Sequence, residues 1–295
     1  MVQDLLPVEL STNGDGAEIA VLILDQPGRP VVVIDELLLN RLDATLDTLP
    51  ENLGGFVLAS SAPRAFVAGA DLKAIMAMDD GALHTYLEFG ARVFQKIADL
   101  PCPTAAAIHS TVLGGGLELA MHCDGLVGLI DPDAKGYLVG LPEAGLKICP
   151  GWGGTNLLPA RIDAKEAIVM TANGRAMKSD VAEEMGLFDV AVSSMEELVP
   201  AARAWVGAQE TPVREGRPSR CIDGSNAEEM QGALVEARGE LNTAEHTEAV
   251  CDAVGVGIAS GWGAAIACER EHLVKSRHTG PARDAINAFF DKGKK

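Results

Sequence analysis

Residues 113–121, LGGGLELAM, restrict this chain more than any other stretch. Three consecutive glycines let a backbone approach a neighbour closely, and the helix formers behind them make a helix start whose N–H groups lack intrahelical partners. A small-residue strand, 104–108 (TAAAI), leads straight into it. The same order occurs earlier, where strand 55–59 (GFVLA) is followed by a turn at Gly69 and a helix with Asp71 at its start. Each repeat of strand, glycine turn and helix points backbone donors at a common space. A partner segment, 140–150 (GLPEAGLKICP), holds Glu143 behind Pro142 and runs into a Pro/Gly loop. Two carboxylates, Glu118 and Glu143, with an array of N–H donors have the parts of an acid/base site.

A net charge of −18 argues against nucleic acid or an anionic membrane as partner, because both require a positive surface. The six cysteines show no CxxC pair and the six histidines no ligand spacing, so buried thiols in a reducing compartment are expected, with no metal. Residues 1–10, MVQDLLPVEL, lack a basic leader, and no apolar run is long enough to span a bilayer. A cytoplasmic protein is the expectation.

The remaining pattern is α/β. Residues 17–24 read as a strand ending at Asp25-Gln26-Pro27-Gly28, and 34–49 as an amphipathic helix capped by Asp35, with Leu38, Leu42, Leu46 and Leu49 on one face. A long helix is expected over 84–100, short strands at 127–130 and 137–139, helices near 163–171 and 179–186, and a strand at 188–192. Beyond about residue 205 the pattern is helical, after a bridge (TPVREGRPSR) that reads as a linker. Ile286, Phe289 and Phe290 mark one apolar face of a final helix. The boundaries expected are a core over 1–205 and a helical segment over 206–295.

Chemistry beside an acyl-thioester carbonyl builds negative charge on its oxygen, and two converging N–H groups stabilise that charge without any particular side chain. Ala70, after Gly69, and Gly115, within the triplet, could supply them. Each feature also has a plainer reading: GGG as a device for close helix–strand packing, Glu118 and Asp71 as early-helix acids, Glu143 as a solvated loop acid, His109 and His122 as structural. GxSxG, GxxxxGK[ST] and GxGxxG spacings are all missing.

The segments AFVAGADLKAI (65–75), PTAAAIHSTVLGGGLELAMHCD (103–124), GLPEAGLKICPGWGGT (140–155) and MTANGRAMKSDVAEEMGLFDVAV (170–192) resemble the crotonase, or enoyl-CoA hydratase/isomerase, superfamily. The form is most similar to the hydratase/isomerase half of the multifunctional β-oxidation enzyme, and the tail ACEREHLVKSRHTGPARDAINAFF is similar to the helices that follow that half. With no dehydrogenase motif after Lys295, a stand-alone hydratase unit is expected. The resemblance implies a spiral of ββα units with a C-terminal helical segment, assembled as trimers or dimers of trimers. It implies an acyl-CoA substrate, coenzyme A entering as part of that substrate with no separate cofactor, and a dehydrogenase or thiolase as a further partner. By motif position it assigns the oxyanion hole to Ala70 and Gly115 and the acid/base pair to Glu118 and Glu143. Ala68, Gly69, Asp71, Leu72, Gly114 and Pro142 fall in its substrate-binding segments, and Lys73 either adds charge near the CoA phosphates or is a solvated helix lysine. Hydration of a trans-2-enoyl-CoA is the implied reaction. 3,2-Enoyl-CoA isomerisation, another CoA-thioester reaction and a non-catalytic acyl-CoA-binding subunit are the alternatives. His109-Ser110 and Asn156-Leu157-Leu158 depart from the commoner Asn-Gly and Gln-Arg-Leu, and IDPDAKGYLVG lengthens the approach to Glu143.

Overall fold

The computed structural model describes residues 4–12 and 16–292. Its strands are β1 (Val8–Thr12), β2 (Glu18–Leu24), β3 (Leu53–Ser60), β4 (Ala65–Val67), β5 (Thr104–Ile108), β6 (Thr111–Leu113), β7 (Gly125–Leu129), β8 (Leu138–Gly140), β9 (Ala176–Lys178) and β10 (Val190–Val192). The helices among them are α1 (Glu36–Leu46), α2 (Leu72–Ala77), α3 (Asp80–Ala98), α4 (Gly115–Met121), α5 (Gly154–Leu157), α6 (Ala164–Ala172) and α7 (Ser179–Glu184). A 3₁₀ turn covers Glu143–Leu146. After β10 the described elements are all helical: α8 (Met195–Ala208), α9 (Ala227–Glu240), α10 (Glu245–Ser260), α11 (Trp262–Ser276) and α12 (Gly280–Lys292).

One sheet has the order β1-β2-β3-β5-β7-β10, parallel except for the β1–β2 pair, and a second has the order β4-β6-β8-β9. The sequence reading missed β1, whose residues VELST are largely exposed and lack a buried apolar face. Pairing with β2 makes it a strand. Asp35 caps α1 as expected, its Oδ1 accepting from Leu38 N–H at 2.8 Å.

The chain divides into two compact units, 1–71 with 89–139 and 177–220, and 72–88 with 140–176 and 221–295. In the first, Ile19, Val21, Val57, Ala105, Ala107 and Val127 cover Leu198, Ala202 and Val206 of α8. The bridge read as a linker is fastened here. Arg214 donates through Nη1 and Nη2 to both Asp124 oxygens (2.8 and 2.9 Å), through Nε to the carbonyl of Leu100 and through Nη2 to that of Cys102, while Arg220 pairs with Asp189. A flexible linker would leave those guanidiniums in water; here they satisfy carbonyls and carboxylates that burial would otherwise strand.

In the second unit, Ile168, Ile222, Met230, Leu234 and Val254 form the core of α6, α9 and α10. Residues 72–88 belong to it because Arg277, nearly enclosed, donates to the carbonyls of Ile75 and Met78 and to Asp80, and Trp152 Nε1–H donates to Leu87 O at 2.9 Å. On α12 the expected apolar face is narrower than its sequence suggests. Ala282 and Ile286 are buried against Ile148 with Phe290 beside them, whereas Phe289, off that four-residue line, is exposed.

Candidate active site

In the first unit the segment that follows β4 and the segment that leads from β6 into α4 are backbone neighbours. The segment after β4 lies beside Val32–Ile34 of the chain: Ala68 N–H donates to Val32 O, Ile34 N–H to Gly69 O, and Asp71 N–H to Ile34 O. Those bonds flank Ala70, which bridges Ile34 in parallel, and so leave its own N–H on the opposite edge. Along that edge β4 pairs with β6, and the chain continues into residues 113–116. Gly69 has φ +117°, and a Cβ on it would sit 3.3 Å from Leu113 O. At Gly116 a Cβ would lie 2.6 Å from Val67 O. Glycine at both positions is what allows the two segments to lie against each other.

Gly114, at φ 54°, is the residue before α4, and the first helical bonds run from Leu117 and Glu118 N–H to its carbonyl. Gly115 N–H, one position into the helix, has no intrahelical acceptor available. The structure thus brings Gly69 against Leu113 and Val67 against Gly116, so the segment carrying Ala68–Asp71 runs alongside the one carrying Gly114 and Gly115. Glu118, one turn further along α4, is 1% exposed, so it is not a solvated helix acid. His122 Nδ1–H donates to Glu118 O at 2.8 Å, and its ring meets Phe94 edge-on. His109 Nε2–H donates to Ala62 O at 2.8 Å, and burial depresses its pKa, so it is a neutral, structurally held imidazole.

Leu72, Pro142 and Glu143 belong to the second unit. Leu72 packs beside Ile148, Ala282 and Ile286, and Lys73 Nζ stands 5.6 Å from the centre of the Phe290 ring. Pro142 precedes the 3₁₀ turn in which Glu143 is the first residue. Glu143 is half-buried as a residue, but its Oε2 is shut off from solvent and has no hydrogen-bond partner among the described residues. Burial pushes its pKa well above the carboxylate range; its own N–H opposes that shift, and the Glu269 carboxylate adds to it.

Glu269 was not singled out from sequence. It is completely buried on α11 and accepts from Gly153 N–H (2.5 Å), Thr155 N–H (2.8 Å) and Thr155 Oγ1–H (2.5 Å). Burial raises this acid too, and the donors from Thr155 and Gly153 oppose the rise. A signal was available: Glu269 occupies the helical line of Trp262, Ala265 and Leu273, an acid at a position the 3.6-residue period reserves for the core. Asn156 is likewise fully enclosed, donating to Thr155 Oγ1 and Ala253 O.

Parallel strands alternating with helices, glycine-mediated contact of two donor segments and a buried helix acid describe a crotonase-type α/β protein. The family model for enoyl-CoA hydratase/isomerase matches residues 15–211, and the chain belongs to that family. Solved structures are similar along nearly the whole length. A putative enoyl-CoA hydratase from Mycobacterium avium paratuberculosis K-10 is 21% identical, with 97% of each chain covered and a TM-score of 0.64. An enoyl-CoA hydratase from Bacillus anthracis is 22% identical, covering 97% of this chain and 96% of that one, at 0.58. DspI from Pseudomonas aeruginosa is 21% identical, covering 97% and 94%, at 0.59. The fold expected from the motifs, α/β with a C-terminal helical segment, is the fold found. Among the described residues no helix is long and apolar enough to cross a membrane.

Proposed function

We propose that the protein adds water to a trans-2-enoyl-CoA, giving the 3-hydroxyacyl-CoA. The observation that carries this reading is the carboxyl of Glu143, whose shielded Oε2 has no protein partner among the described residues and whose burial favours the protonated form. Such a group is a proton donor at neutral pH.

In the proposed reaction the thioester oxygen accepts from the N–H groups of Ala70 and Gly115. Glu118 takes a proton from water as the water oxygen bonds C3, and the C2=C3 electron pair moves toward the thioester, building charge on that oxygen. The two amides stabilise the charge without reorganising, because backbone pairing and the helix start hold them in place. Glu143 then delivers its proton to C2 as the carbonyl re-forms. Glu118 gains the proton that Glu143 loses, and exchange with solvent resets both, so the balance is one water added. Ala68, Gly69, Asp71, Leu72, Gly114 and Pro142 are the residues proposed to line the bound acyl-CoA, with coenzyme A present only as part of the substrate. A homotrimer or dimer of trimers in the cytoplasm, feeding a dehydrogenase or thiolase, belongs to the same proposal; light scattering on the purified chain checks the assembly.

Glu118→Gln and Glu143→Gln, assayed on crotonyl-CoA and a longer enoyl-CoA with product identification, test the reading. Each should lose on the order of 10²–10⁴ in rate. Near-wild-type hydration in both variants would overturn it. Double-bond migration as the wild-type product would assign the site to isomerisation, and acyl-CoA binding without turnover to a non-catalytic subunit.

A further inference from the structure

The α10–α11 pair presents a cluster that the proposed reaction does not use. Cys268 and His272 are one turn apart on α11, so both project from the same face, and Asp252 of α10 projects toward them. His272 Nε2 lies 2.8 Å from Asp252 Oδ2, Cys268 Sγ lies 3.6 Å from the same oxygen, and all three ligand atoms fall within 4.8 Å of one another. We propose that Asp252, Cys268 and His272 form a binding site for a divalent transition ion of borderline softness, of which Zn2+ is the representative.

Geometry, donor chemistry and charge each support the assignment. A tetrahedral zinc bound at ~2.0–2.3 Å holds its ligand atoms roughly 3.3–3.6 Å apart. Asp252 and His272 need to part by about half an ångström and the thiol to draw in, adjustments within the reach of partly exposed side chains. One thiolate, one imidazole and one carboxylate suit zinc rather than magnesium or calcium, which prefer all-oxygen shells. Three protein ligands leave a fourth position for water. Burial, with the Asp252, Glu269 and Glu271 carboxylates, pushes the Cys268 thiol well up, and the negative field by which those carboxylates hold its proton equally favours a cation in the proton's place.

The change on binding balances simply. The Cys268 thiol releases its proton to solvent and forms the S–Zn bond, giving up its hydrogen bond to Asp252. His272 carries its remaining ring proton on Nδ1 and offers Nε2, and the ion sheds waters as the three ligands replace them. The ion would then clip α10 to α11, two helices already joined by the turn at Gly261 and by the Lys275–Glu245 ion pair.

Zinc titration of the chelator-treated full chain by calorimetry should show one site per chain. Asp252→Asn and His272→Ala should each weaken it by at least ~10–100-fold, the range that loss of even an outer-shell partner costs. Co2+ should produce a thiolate-to-metal charge-transfer band in the wild type that is missing in Cys268→Ser. Of the six cysteines only Cys268 is not buried, so Zn2+ should also slow its alkylation in the native protein. The idea is overturned by zinc affinity unchanged in Cys268→Ser/His272→Ala, or by a wild-type cobalt spectrum without the charge-transfer band. Circular dichroism of each variant separates loss of the site from loss of the fold.

Discussion

Gly116→Ala probes whether the close approach of the two donor segments matters for rate. A Cβ at Gly116 would lie 2.6 Å from Val67 O and 2.7 Å from Val67 Cβ, where ordinary contact begins at 3.4 Å. Because the nearest atom is backbone, the difference of 0.8 Å (3.4 − 2.6) must come from moving the strand that leads to Ala70 away from the helix that begins at Gly115. Alanine is better than glycine inside a helix by about 1 kcal/mol, while overpacking costs about 1–3 kcal/mol. The net destabilisation is therefore about 0–2 kcal/mol, which leaves the variant folded. Catalysis is more sensitive, since a misplacement near 1 Å costs on the order of 10²-fold and loss of one oxyanion donor a similar amount. The expected outcome is a folded protein with kcat for crotonyl-CoA hydration down about 10²-fold, measured beside urea unfolding. The control is Gly232→Ala on α9, where a Cβ meets nothing within 4 Å, and it should stabilise by ~0.5–1 kcal/mol with kcat unchanged. A folded Gly116→Ala enzyme with kcat within a few-fold of wild type would refute the reasoning.

Glu269→Gln removes one of two buried acids whose pKa values burial raises above the unfolded value of ~4.3. For a raised pKa, the stabilising contribution is complete below the unfolded value and is lost as pH climbs through the folded one; the variant should lose less stability over that window in pH-resolved urea unfolding. It should also move the alkaline limb of kcat/KM to lower pH by relieving Glu143, and cost ~1–3 kcal/mol at acidic pH because the amide nitrogen cannot accept from the donors that hold Glu269. A limb that stays in place argues against coupling of the two carboxyls. Arg214→Met should destabilise by about 3–5 kcal/mol in chemical denaturation, since it leaves Asp124 and two carbonyls without their cation; a loss below about 1 kcal/mol would return 211–220 to the status of a linker. Gly257→Ala places a Cβ 1.7 Å from Asn156 Oδ1 and should lower stability by at least ~1–3 kcal/mol, with Asn156→Ser in the same chain restoring part of it.

Local rules were enough for α1 with its Asp35 cap, for β5, and for the glycine turns before α2 and α4, because caps, short apolar runs and positive-φ glycines act through neighbours in the chain. They also sufficed for the family, whose motifs are themselves local. Sequence could name Ala70, Gly115, Glu118 and Glu143 as candidates but not their surroundings, since burial of a carboxyl depends on residues distant in the chain. Glu269 shows the limit most clearly: it is read as one more charge on a helix until Gly153 and Thr155, over a hundred positions away, supply its donors.

Arg214 and the Asp252, Cys268, His272 group follow the same rule. A basic, glycine-containing stretch reads as solvated bridge until Asp124 and two carbonyls take up its guanidinium. Neither the cysteines nor the histidines show ligand spacing among themselves, and the helical turn that pairs Cys268 with His272 needs Asp252 from another helix to complete the set. The amino-acid order alone therefore specified many of the elements, the glycine turns and the class of chemistry, all properties of contiguous chain. Which carboxyls are desolvated, which cations hold the bridge and which helices share a ligand set were decided by tertiary packing, because desolvation and charge pairing belong to groups that meet only after folding.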